Sequence, residues 1–175
     1  MKGQYPKTYN YLDQYRTRFD DRKSSIYQGK PPFSIFGIGD YSFKRYKVAI
    51  SGLYKEANFA LVLPVDGKPA MLDDTCYFLG FDIISDAVFT LIVLNHETTR
   101  HLLKVITFND AKRVYTKDVL MRIDLTAIAQ SMTFPQVVAS CPDSLSDTIN
   151  LEKWNQYQEQ DVARKNQVEQ QLSLF

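Results

Sequence analysis

The sequence predicts an α+β fold: a mixed or antiparallel sheet core with flanking helices and a polar C-terminal helix. Three patterns lead there. Apolar residues alternate along Tyr46–Ser51 with period two. Apolar residues recur at three- and four-residue spacing on both sides of the strand-rich region. After residue 151 the chain turns rich in Gln, Glu, Asn and Lys and keeps only a thin apolar stripe. A chain of 175 residues, 45% of them hydrophobic, suffices for one packed domain and an appendage.

In chain order, Leu12, Tyr15 and Phe19 place a helix over residues 8–22, with Thr8 as candidate N-cap just after Pro6. Gly29 to Pro32 ends it and opens a loop. In the strand Tyr46–Ser51, Tyr46, Val48 and Ile50 face one way and Lys47, Ala49 and Ser51 the other. Asn58–Leu63 is a second strand, Asp66-Gly67 a hairpin-type turn, and Ala70–Leu72 and Thr75–Phe81 further strands. Ser85 caps a helix to about Asn95 that is apolar on most sides and therefore buried. His101–Ile106 is a helix or strand, and Thr116 or Asp118 opens a short helix through Leu125. Residues 126–150, rich in Ser, Thr, Pro and Asp, read as a linker or irregular arm. Residues 151–175 form the C-terminal helix, with Leu151, Trp154, Tyr157, Val162, Val168 and Leu172 as its stripe. The organisation expected is a main unit over 1–125, the linker, and the helix.

Two cysteines, Cys76 and Cys141, are too few for a disulfide framework or a four-thiolate zinc site. They are expected as reduced thiols, Cys76 buried within an apolar strand. The longest apolar run, Ala87–Leu94, is far short of the roughly 20 residues of a membrane helix. The N-terminus shows no signal-peptide pattern. A soluble, cytoplasmic protein is expected.

The net charge of +1 conceals polarity. Residues 1–55 hold 11 basic and 4 acidic residues, whereas residues 56–100 hold 2 and 7. Arg22, Lys23, Lys30, Lys44, Arg45, Lys47 and Lys55 crowd into one stretch around Gly37-Ile38-Gly39. Of 23 aromatic residues, 12 lie in residues 1–55, eight of them tyrosines. Cations interleaved with hydroxyls and aromatic rings suit a polyanion: phosphates take charge and hydroxyl donors, and bases take stacking. Ser24 and Ser25 beside Arg22-Lys23 add donors, and Lys112, Arg113, Tyr115 and Lys117 repeat the make-up. The bland alternative is a solvated charged face with tyrosines at the core edge.

Catalytic signatures fail on spacing. In His96-Glu97-Thr98-Thr99-Arg100-His101 the histidines are five apart, where a zinc-protease helix needs four, so they diverge around the helix. Asp66-Gly67-Lys68 and Asp110-Ala111-Lys112 match half of a nuclease metal site, a tripeptide common by chance. Asp73-Asp74 could contribute to a magnesium site, or simply turn the chain between strands. Gly37-Ile38-Gly39 lacks the third glycine and following helix of a dinucleotide loop, and fits positive φ or close approach to a ligand. No Ser or Cys has an arguable base. No catalytic, cofactor or metal residue is assigned.

Several segments, in order, resemble one family. They are Lys7-Thr8-Tyr9 with Tyr11-Leu12, Arg22-Lys23-Ser24, Phe36-Gly37-Ile38-Gly39-Asp40-Tyr41-Ser42-Phe43, Tyr46 through Lys55, Asp73-Asp74-Thr75-Cys76-Tyr77-Phe78 and Leu94-Asn95. Together they resemble the C-terminal, TaqI-like specificity (target-recognition) domain of bacterial adenine-N6 DNA methyltransferases of restriction–modification systems. The likeness runs from about Tyr5 to Leu125. It implies a reader of a short sequence in double-stranded DNA that presents a flipped adenine to a separate catalytic domain or subunit. That partner would carry the S-adenosylmethionine site and the Asn-Pro-Pro-Tyr or Asn-Pro-Pro-Phe motif. Here the corresponding dipeptide stands in Lys30-Pro31-Pro32-Phe33, with Lys where the motif needs Asn. The chain alone is thus expected to be non-catalytic and without cofactor. Another departure is His96 after Leu94-Asn95, where Ser is common in the family. The sites expected to touch DNA are Arg22, Lys23, Ser24, Ser25, Lys30, Tyr41, Lys44, Arg45, Lys47, Arg113, Tyr115 and Lys117. Two other readings stay open: a protein-interaction module using the first and last helices to dock a methyltransferase or nuclease subunit, and a metal-dependent nuclease using Asp73, Asp74 and the lysine of an Asp-x-Lys tripeptide.

Overall fold

The computed structural model describes residues 2–108 and 110–159, which fall into two compact units, 2–38 and 39–159.

In the first unit, α1 (Pro6–Asp13) has Tyr5 as its N-cap, three residues before the expected Thr8. Pro6 occupies the first turn, where its fixed φ suits a helix and its missing N–H is not needed. The helix then breaks, and α2 (Arg16–Asp20) is a separate short helix. Arg16 binds Asp13 across the break at 2.7 Å. Phe33 is the buried centre, 7% exposed and held at φ +65°. The rings of Tyr9 and Phe19 meet it edge-on at 5.8 and 5.2 Å, and the Arg16 guanidinium lies 5.0 Å from its centroid.

The second unit is built on an antiparallel sheet of order β2-β1-β3. The strands are β1 (Tyr46–Ser51), β2 (Ala60–Val62) and β3 (Cys76–Phe81). The α+β class expected from the sequence is what forms. Asp66 and Gly67 take φ +50° and +73° between the bridged pair Val65 and Lys68, a tight hairpin turn as expected. Residues 70–72 are not a strand. Pro69 lacks an N–H, and both edges of β1 are already occupied. Cys76 is half-buried at the start of β3, not deep within it.

Register explains the burial. Val48 sits opposite Leu79 and Ile50 opposite Tyr77, and this face packs on helices. Ala49 sits opposite Phe78 and Lys47 opposite Gly80 on the other face. That face is covered by the 3-10 turn Asp40–Phe43: Tyr41 stacks on Phe78 at 5.6 Å, and Lys44 presses on Gly80, where a Cβ would come within 2.7 Å of the Lys44 Cβ.

Helix α3 (Ile84–Asn95) is the spine. As its composition predicts, it is buried on most sides, although its N-cap is Ile83 and Ser85 lies buried in the first turn. Ala87 and Leu94 join the sheet core with Leu103 of α4 (Glu97–Ile106) and Leu120 of α5 (Lys117–Leu120). Val88, Phe89, Ile92 and Val93 join a second core with α6 (Leu125–Gln130), α7 (Phe134–Ser140) and α8 (Leu151–Glu159).

The expected linker at 126–150 is therefore corrected: it holds α6, α7 and a 3-10 turn, and buries Ile128, Ala129, Met132 and Val137. The Ser/Thr/Asp/Pro composition that suggests a loop belongs to helix starts. Asp124 accepts from the Ala127 N–H at 3.1 Å, and the Gln136 side chain reaches back to the Thr133 N–H at 2.7 Å, with Pro135 in the first turn. In α8, Trp154 and Tyr157 are each 1% exposed and pack on Phe89. The remainder of the expected polar helix, including Val162, Val168 and Leu172, lies outside the described residues.

Candidate nucleic-acid interface

The residues expected to touch DNA divide between the two units and fall into outward-facing and structurally engaged groups. In the first unit, Lys23, Ser24, Ser25 and Lys30 are exposed. The Ser24 hydroxyl accepts from the Ile26 N–H at 3.4 Å and caps the turn Ser25–Tyr27. Arg22 has a structural task. Its Nε donates to the Phe19 carbonyl at 2.9 Å and its Nη1 to the Ser34 carbonyl at 2.6 Å. Its guanidinium lies 3.7 Å from the Tyr27 ring centroid. Arg22 thus ties α2 to the loop that carries Phe33.

In the second unit, Arg45 is exposed beside the Tyr46 ring, and Lys117 is half-exposed at the first position of α5. Lys44 pairs with Asp82, and Arg113 donates to the Asp74 carbonyl at 3.0 Å with the Asp74 carboxylate 3.8 Å away. Tyr41 is committed to the sheet by its stack on Phe78. Two expected contacts are corrected by burial. Lys47 is 1% exposed: its Nζ donates to the Lys44 carbonyl at 2.9 Å and lies 5.7 Å from the Phe78 centroid. Burial lowers its pKa, because the charged form loses hydration. Tyr115 is 3% exposed and donates to the Lys55 carbonyl at 3.4 Å. Burial, and then the charge of Glu56, raise its pKa. Period-two reading put Lys47 and Ala49 on the polar side of β1. The turn at 40–43 covers that side, so no solvent face remains there.

Gly37 takes φ +73°, the left-handed conformation that glycine adopts without strain. Asp73 accepts from the Thr75 hydroxyl at 2.6 Å and from its N–H at 3.0 Å. The hydroxyl first, then the amide, hold its carboxyl below the usual range. His96 is the N-cap of α4, its Nδ1 accepting from the Thr98 N–H at 3.3 Å, while His101 is exposed. Among the described residues no three His, Cys, Asp or Glu side chains gather as a metal-binding group. No helix among them is long and apolar enough to cross a membrane.

One feature escapes the sequence reading. Residues 55–58 and α4 form the walls of an open cleft lined by Lys55, Glu56, Asn58, Arg100, Lys104 and Tyr115, with Ala57 and Thr107 completing it. Arg100 and Lys104 stand one turn apart on the exposed face of α4, whose adjoining face buries Thr99 and Leu103. Like charges at that spacing cost about 0.2–0.5 kcal/mol on an isolated helix. Neither forms an ion pair among the described residues. The sequence signal that marks them is the amphipathic spacing of α4.

Comparison with known proteins finds the type II methyltransferase M.NspV of Nostoc sp. (strain ATCC 29411 / PCC 7524), 43% identical over 125 residues. No protein-family model and no solved structure matches the chain. The aligned part is 71% of this chain and 26% of that protein, so the chain spans about a quarter of its relative's length. Over most of its sequence, then, the chain is related to a type II methyltransferase.

Proposed function

We propose that the chain is the DNA target-recognition part of a restriction–modification adenine-N6 methyltransferase, of the TaqI-like kind. It holds and reads double-stranded DNA, while S-adenosylmethionine and methyl transfer belong to a separate catalytic domain or subunit. The observation that carries this is the partial match: 43% identity to a methyltransferase, confined to 26% of that protein. The Asn-Pro-Pro-Tyr or Asn-Pro-Pro-Phe motif of adenine transfer is absent from the sequence. A segment without the transfer motif, related to a methyltransferase, suits recognition and not chemistry.

The exposed cations suit the task. Lys23, Lys30, Arg45 and Lys117 present charge outward, and Ser24 and Ser25 add hydroxyl donors. Such contacts hold the duplex in register and leave sequence to be read at base edges. The test is a titration of the 175-residue chain with duplex DNA at several salt concentrations, repeated with a methyltransferase catalytic subunit. Each phosphate contact releases counterions, so log K should fall linearly with log salt at about −0.9 per contact. Salt-independent binding, or none to a duplex library in either arm, refutes the reading.

A protein-contact role has support in the first unit, where α1 leaves Tyr11 60% exposed and its N-cap Tyr5 56%. That role complements recognition, since the catalytic partner must dock somewhere. Trp154, the residue that fluorescence would probe, lies buried in the core of its own unit and offers no docking surface.

A further inference from the structure

We propose that the cleft between residues 55–58 and α4 is a binding site for the phosphodiester backbone, with Arg100 and Lys104 as the phosphate-holding side chains and Lys55 at its edge. This assignment rests on the recognition reading and adds to it residues that the basic N-terminal stretch does not contain.

Three observations carry it. The first is charge in a concave place. Lys55, Arg100 and Lys104 face one cleft with Glu56 as the lone acid of its lining. Arg100 and Lys104 form no ion pair among the described residues, so their charge is available to a ligand. Low-dielectric walls focus such a field toward an anion.

The second is spacing. Arg100 and Lys104 are four residues apart, about 6 Å along the helix. Side chains so placed address phosphates in succession along a strand, not one phosphate twice. Arg presents a planar fork to phosphate oxygens and Lys a compact charge.

The third is preorganisation. The wall opposite α4 is held at three points: Lys55 Nζ donates to the Ala111 carbonyl at 2.8 Å, the Tyr115 hydroxyl donates to the Lys55 carbonyl at 3.4 Å, and the Asn95 side chain grips both backbone groups of Phe59. In that grip the Phe59 N–H donates to Asn95 Oδ1 at 3.1 Å, and Asn95 Nδ2 donates to the Phe59 carbonyl at 2.9 Å. A wall so fixed loses little freedom when a ligand enters.

The experiment compares the full chain with Arg100→Gln/Lys104→Gln, binding a pool of random-sequence 30-base-pair duplexes at several salt concentrations. Lys68→Ala, on the hairpin turn, is the control for a cation outside the cleft. Two lost phosphate contacts should reduce the salt slope by about 1.8 and weaken binding by roughly eightfold per contact at 0.1 M salt. The loss should be uniform across sequences, because phosphates carry no sequence information. The thermal midpoint should be unchanged, and Arg100→Lys/Lys104→Arg should restore most of the slope. If the wild type binds with a clear salt slope and the double Gln variant keeps the same slope and affinity, the cleft assignment is overturned and the recognition reading stands. If the wild type binds no duplex, either alone or with a methyltransferase catalytic subunit, both are overturned.

Discussion

Replacing Lys47 with alanine and with methionine separates its two possible roles, packing and phosphate contact. Lys47 is 1% exposed on the sheet face covered by the turn Asp40–Phe43. Alanine removes three buried methylenes, about 2.4 kcal/mol at ~0.8 kcal/mol each. It also deprives the Lys44 carbonyl of its 2.9 Å partner, about 1 kcal/mol more. Relief from holding a poorly hydrated ammonium offsets part of this, and the expected loss is about 2–3 kcal/mol. Methionine keeps the length and apolar bulk, so its loss should stay under about 1 kcal/mol. The assay is urea unfolding followed by the fluorescence of Trp154, the single tryptophan, buried in the same unit. The pH dependence is a second reading. Burial lowers the folded pKa below the unfolded 10.5. Between the two values the unfolded chain holds more protons, so this group makes stability rise with pH through that window. Lys47→Met should lack that rise, and the opposing contribution of Tyr115 cancels in the comparison. The reasoning is refuted if Lys47→Ala costs less than 1 kcal/mol, or if Lys47→Met keeps its unfolding midpoint while losing tenfold in DNA affinity.

Three further outcomes are expected. Gly80→Ala drives a Cβ to 2.7 Å from the Lys44 Cβ, so it should destabilise by about 1–3 kcal/mol and raise hydrogen exchange at residues 40–44. Tyr157→Phe removes the 2.9 Å bond between its hydroxyl and Thr90 Oγ1 in the α3–α8 core, and urea unfolding should show a loss of about 1–2 kcal/mol. The Asp73 carboxyl has a folded pKa below its unfolded 3.8, so the stability it contributes is present above that value and is lost as pH falls through the folded pKa. Asp73→Asn should flatten the fall in thermal midpoint below about pH 4, and an unchanged acid profile would remove Thr75 as the cause.

Much of the second unit was legible in local pattern. The strand Tyr46–Ser51, the Asp66-Gly67 turn and the buried helix Ile84–Asn95 follow from periodicity and turn chemistry, which depend on residues near in sequence. Residues 126–150 resemble a linker in sequence because caps and linkers share Ser, Thr, Asp and Pro. Only the buried Ile128, Met132 and Val137 tell them apart, and their burial depends on α3, some forty residues away. The first unit was partly legible: the aromatic spacing marked helix, but Phe33, beyond the loop, became its centre.

The candidate site divides on the same principle. Residue order alone establishes that cations concentrate in residues 22–55 and that this sequence lacks the adenine-transfer motif. Those are properties of composition and of neighbours along the chain. Which cations remain outward follows from packing between distant segments. Packing buried Lys47 beneath the turn at 40–43, tied Arg22 to the carbonyls of Phe19 and Ser34, and set Arg100 and Lys104 across from Lys55 in one cleft. Burial depends on what the far side of a strand meets, and a cleft depends on segments distant in sequence, so neither is written in any local run of residues.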